Sequence, residues 1–134
     1  MRLPYRHVVT GMAVLQIADS MVSTNLRMSA TARLDHLGLP QTLRPLVPLI
    51  KVSTSIGLVA GLRKPHIGMV ASAALVAFYS AAVGFHRLAG DRPAVALPAT
   101  LLGASAAVIL LRYFIPLIED RKSRRSQNRE VSEI

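Results

Sequence analysis

The sequence predicts an all-α integral membrane protein, a four-helix bundle with both termini in the cytoplasm, and three observations carry that reading. Half of its 134 residues are hydrophobic and its mean hydropathy is positive, which separates it from an ordinary soluble domain. Those apolar residues are gathered into long blocks, with charged residues mainly between blocks and in the last sixteen positions. Lys and Arg are shared unequally between alternate loops, as in multi-pass chains.

The first block, residues 7–24, is the most polar, with Gln16 and Asp19 inside it. Gln16, Asp19, Ser20 and Ser23 stand at i, i+3, i+4 and i+7, so one helical face carries them all and the rest can meet lipid. A cleaved leader is the competing reading, from Arg2 and Arg6, the apolar run 8–18 and Ala30-Thr31-Ala32. The gap between that run and the small residues is too long and contains Arg27, so the block is read as a retained span.

Between the first two spans, residues 26–40 mix Leu and Met with Arg, Asp and His, as a helical extension or short interfacial helix would, until Gly38 and Pro40 break the pattern. The second span, 46–62, contains Lys51, with Thr54 and Ser55 on the same face. The third, 67–86, includes nineteen residues without a charge, which rise roughly 28 Å as a helix and match a bilayer's hydrocarbon core. The fourth, 94–117, opens on eighteen uncharged residues, and Arg112 near its end can snorkel to the interface. These spans form one domain, 1–118, followed by a polar basic cytoplasmic tail, 119–134.

With the N-terminus inside, the cytoplasmic side holds nine Lys and Arg (2, 6, 63, 64, 121, 122, 124, 125, 129) and the other side five (27, 33, 44, 87, 92). The positive-inside rule therefore selects N-in and C-in. It also explains the net charge of +9 without nucleic acid, which is not expected as a partner. Arg outnumbers Lys 13 to 3 and Ala, Val and Leu dominate, a composition that fits a high-GC bacterium and hence a bacterial cell membrane.

This topology assigns depths. Asp19 lies about five residues, roughly 7 Å, below the outer surface, and Lys51, on a helix running inward, reaches the same depth. The third span brings Tyr79, Ser80 and His86 there, and Asp91 follows in the turn. The candidate outer polar pocket is thus Gln16, Asp19, Lys51, Thr54, Ser55, Tyr79, Ser80, His86 and Asp91. A lone charge in a span costs about 2.5–3.5 kcal/mol on insertion scales, which argues for pairing Asp19 with Lys51. Such a pair either fixes helix packing or lines a cavity for a small polar molecule, a lipid headgroup or a quinone head.

Close packing is expected from Gly57 and Gly61, from Ala73, Ala77 and Ala81, and from Gly103 and Ala107, all at four-residue intervals. With no cysteine, disulfides and thiol chemistry are excluded. Phosphate-binding glycine loops and metal-binding histidine pairs are missing from the sequence, which assigns no catalytic residue, no metal and no evident cofactor.

From residue 37 to about 111 the chain resembles the DoxX-like family of small four-helix membrane proteins. The likeness rests on Gly38-Leu39-Pro40, Pro48 and Lys51, the Gly57 and Gly61 pair, Pro65, the small-rich third helix ending at His86, Asp91, and Pro98-Ala99. Helix 1 departs from the pattern, with Asp19 in a stretch where the family carries a Gly and a basic residue. The resemblance implies a four-helix membrane bundle and no transferable catalytic set. For function the resemblance implies little; short loops, missing cofactor motifs and small-residue helix faces point to an accessory or scaffold subunit of a bacterial membrane complex, redox or oxidative-stress linked. Alternatives are a quinone-interacting oxidoreductase subunit and a small proton-coupled transporter. Membrane lipids and other membrane proteins, or further copies of the chain, are the expected partners.

Overall fold

A computed structural model describes residues 3–25, 32 and 34–132. These residues are helical throughout apart from turns, and no strand occurs among them. The long elements are α1 (Leu3–Asn25), α2 (Leu46–Gly61), α3 (Pro65–Leu88), α4 (Pro93–Ile109) and α5 (Ile115–Ser132). A 3-10 turn, Gln41–Leu43, precedes α2, and a π-helical turn, Leu110–Phe114, joins α4 to α5. Residues 26–31 and 33 of the connecting segment 26–40 expected to be helical or interfacial, including Ala30 and Thr31, lie outside the described residues.

Among the described residues, three stretches are long and apolar enough to cross a membrane: Gln41–Gly61, Pro65–Leu88 and Pro93–Ser132. Helix α1 is not among them, because its polar stripe lowers its hydropathy. The stripe has a place in the structure nonetheless. Val9, Met12, Ala13, Gln16 and Ser20 are buried, at the i, i+3, i+4, i+7 spacing of one helical face. The opposite side exposes Val8, Val14, Leu15, Ile17 and Met21.

The helices pack in chain order, α1 on α2, α2 on α3 and α3 on α4, while α1 touches α4 least of these pairs. The core is built from Val9, Met12 and Ala13 of α1, Leu58 of α2, Ala71, Leu75 and Tyr79 of α3, Ala106 and Ile109 of α4, and Phe114. At the end of the bundle that carries Tyr5, this ring stacks on Tyr113 with centroids 5.4 Å apart.

Small residues set the α2–α3 distance. A Cβ on Gly57 would lie 2.8 Å from that of Ala71, and one on Gly61 would run into the backbone of Gly68. Gly68 in turn forms the notch that receives the Phe114 ring, which is completely buried. Phe114 reaches this notch through the π turn. Pro116 has no N–H for the Arg112 carbonyl, the helix widens just before it, and Ile115 N–H donates instead to Leu110 five residues back.

The sequence expectation for packing is corrected on α3. Ala73, Ala77 and Ala81 are exposed, and Gly68, Ala71 and Ser72 make the internal contacts instead. Gly57, Gly61 and Gly103 do face neighbouring helices, Gly103 against Tyr79, whereas Ala107 is only half-buried beside buried Ala106. Beyond the π turn, α5 continues as an exposed helix to Ser132, so the polar tail is helical as far as it is described.

Gly68→Ala should therefore cost about 1–3 kcal/mol of stability through overpacking against Phe114. Gly11→Ala, with open space at its Cβ, should be neutral or slightly stabilising. Unfolding of the two variants in mixed micelles measures the difference, and equal stabilities would contradict this packing.

Candidate functional site

At the end of the bundle away from Tyr5, the helices enclose a cavity of about 940 Å³. Its back wall is α3, through Phe78, Tyr79, Ala82 and Phe85, and its flanks are Leu46, Val47 and Ile50 of α2 and Ala94, Val95, Pro98 and Ala99 of α4. Leu34, Leu37 and Leu39 cover it. Polar groups reach it from every side: Asp19 from α1, Lys51 from α2, Tyr79 and His86 from α3, and His36 and Asp91 from the two connections.

Two local backbone motifs put the connecting residues in place. The helical turn 34–36 ends in a Schellman cap, with Gly38 N–H bonded to the Asp35 carbonyl and Leu39 N–H to that of Leu34, both at 3.0 Å. Helix α3 ends the same way, with Gly90 N–H donating to Arg87 at 3.1 Å and Asp91 N–H to His86 at 3.0 Å. Gly38 and Gly90 take the left-handed conformation this cap needs, at φ of 67° and 73°. The covering segment is also tied to the start of α2, where Arg44 donates to the Asp35 carboxylate and to the Leu39 carbonyl.

Asp91 joins the two caps. Its Oδ2 lies 2.7 Å from His86 Nδ1 and its Oδ1 lies 2.6 Å from His36 Nε2, so one carboxylate links the turn after α3 to the segment covering the cavity. The hydrogen bond from His86, then that from His36, holds the Asp91 carboxyl below the usual carboxylate range. Both imidazoles then donate, which fixes the proton of His36 on Nε2 and that of His86 on Nδ1. On the other side of the cavity Lys51 donates to Asp19 Oδ2.

The residues singled out from the sequence separate into two groups. Asp19, Lys51, Tyr79, His86 and Asp91 line the cavity. Thr54 and Ser55 turn back on their own helix, Thr54 Oγ1 donating to Ile50 at 2.6 Å and Ser55 Oγ to Lys51 at 2.7 Å. Gln16 is completely buried but does not line the cavity, and Ser80 is exposed away from it. His36 had no sequence signal beyond a glycine two residues on, because its carboxylate partner is 55 residues away. The apolar lining, with Phe78, Phe85 and Pro98, was equally hidden among ordinary span residues.

Among the described residues, three buried groups have no hydrogen-bond partner: the amide of Gln16 at both its atoms, Ser72 Oγ and the Tyr79 hydroxyl. Among the described residues, no cluster of three His, Cys, Asp or Glu is arranged to hold a metal ion.

Long apolar helices, buried polar faces and a cavity within the bundle define a helical membrane protein. The chain belongs to the DoxX-like family, whose model matches residues 7–108. That match takes in α1, the helix whose sequence departs most from the pattern of the rest. No curated protein and no solved structure matches the chain.

Because folding lowers the pKa of Asp91, the stability gained from its ionised form is complete above the ordinary carboxylate range and lost as pH falls through the lowered value. Asp91→Asn should flatten that acid limb in thermal melts. For the other pair, Lys51→Met alone should destabilise more than Lys51→Met with Asp19→Asn, since the single change strands a carboxylate. A double-mutant cycle showing additive losses would count against the bond.

Proposed function

We propose that this protein is a four-span accessory subunit of a bacterial membrane complex, with both termini cytoplasmic, that docks a partner against α3. The observation that carries the reading is the outward face of that helix. Ala73, Ala77, Ser80 and Ala81 are exposed, and Gly84 has nothing within 4 Å of where a Cβ would stand. In a bilayer, small residues on a lipid-facing surface gain nothing over Leu unless another helix approaches closely, since helix association there relies on packing. Ala81 also lines the cavity, so a helix docked on this face would lie at the cavity rim.

Counting α1 as a fourth span is supported by its inverted amphipathicity. Its polar residues are buried and its exposed residues are large and apolar, the arrangement of a helix whose surroundings are lipid. Asp19, the acid that a proton-coupled transporter would use, is committed to Lys51, which favours a binding role over transport.

Two experiments test this. Because the chain has no cysteine, single introduced cysteines report sidedness in intact cells. Gln41→Cys and Ala89→Cys should react with a membrane-impermeant maleimide, and Arg63→Cys and Ser126→Cys only after permeabilisation. Affinity purification from native membranes in mild detergent should recover a stoichiometric partner that Ala77→Phe releases. Recovery of the chain alone would refute the accessory role.

A further inference from the structure

Three features of the cavity's lining restrict what could enter it. The first is charge. Lys51, the only Lys or Arg among the described lining residues, donates to Asp19, and both histidines are bonded to Asp91. Nearby Arg44 is taken by Asp35. Among the described residues that line the cavity, an anionic head would find no unpaired Lys or Arg and would face two carboxylates.

The second is an orphaned donor. Tyr79 is 4% exposed and lines the cavity, yet its hydroxyl has no partner. A buried hydroxyl without a partner is costly, and in an apolar medium the partner must come from the protein, a water or a ligand. On the α4 wall, Pro98 has no N–H to give the Ala94 carbonyl, and both residues line the cavity. The lining residues therefore include one whose buried hydroxyl lacks a partner and one whose carbonyl lacks its usual helical donor.

The third is shape. Most of the lining is apolar, with Leu43, Leu46 and Val95 exposed at the rim, and α1 and α4 touch only slightly. A hydrocarbon tail can thus lie along the walls and continue into the bilayer, while the head meets the polar groups.

We infer that the cavity binds a membrane-dissolved amphiphile with an uncharged, oxygen-bearing head, held through a hydrogen bond from the Tyr79 hydroxyl to a ligand oxygen. This chemistry is shared by monoacylglycerols and by isoprenoid quinones. The Ala94 carbonyl distinguishes them, because it suits a ligand hydroxyl and gains nothing from a quinone oxygen. The site is independent of partner docking on α3 and stands whether or not a partner is found.

The test is titration of the purified full-length protein, followed by native mass spectrometry, with probes of equal tail length: a monoacylglycerol, an alkyl benzoquinone, an alkyl phosphate, an alkylamine and the alkane. The neutral oxygenated heads should bind at least about tenfold more tightly than the phosphate, the amine or the alkane, the difference expected for one unmatched polar group. Tyr79→Phe, which keeps the ring, should weaken them about 3- to 10-fold and leave the alkane unchanged. Ala82→Phe, which fills the cavity, should weaken every probe. Tighter monoacylglycerol than benzoquinone binding assigns the source to glycerides, and the reverse to quinones. Preference for the phosphate or amine overturns the uncharged head, unchanged affinity in Tyr79→Phe overturns the contact, and no adduct with any probe overturns the site itself.

Discussion

Lys51 lies in the second turn of α2, on a helix long and apolar enough to sit in a bilayer, where an ammonium without a counter-charge is costly. Its bond to Asp19 meets that requirement and sets much else in the fold. It fixes the register of α1 against α2, which in turn buries Gln16 and Ser20 one turn apart and turns the apolar side of α1 outward. It also leaves Asp19 and Lys51 at the cavity wall as a pair instead of as two free charges.

Away from that pair the bundle is held by close approach. Gly57 against Ala71, Gly61 against Gly68 and the Phe114 ring in the Gly68 notch bring the backbones of α2, α3 and the π turn together. Such contacts matter more within lipid than in water, because lipid tails are as apolar as the side chains and no hydrophobic force drives the helices together. The same helices diverge from close packing near His86 and Asp91, where aromatic and aliphatic side chains line a space instead of filling it. Asp91 then ties the cover to the frame through two imidazoles, so the cavity is bounded by hydrogen bonds at its mouth and by van der Waals contact at its base.

The two faces of α3 divide the proposed roles. Tyr79 and Ala82 look into the cavity, while Ala73, Ala77 and Ser80 look outward. A ligand and a partner would therefore act on one helix from opposite sides, with Ala81 at the boundary between them.

What the sequence by itself determined is everything that depends on period and on the cost of charge in lipid. The polar stripe of α1, the pairing of Asp19 with Lys51 and the apolar spans are consequences of spacing and composition alone. Tertiary structure decided which of several equivalent small-residue rows faces inward. Ala73-Ala77-Ala81 and Gly68-Ala71-Ser72 are equally good as patterns, and the contacts of Gly57 and Gly61 with the second row, together with the Phe114 ring placed by the π turn before Pro116, turn that row inward. It also decided that His36 meets Asp91, since a contact across 55 residues depends on how two Schellman caps are oriented in space, which no local pattern contains.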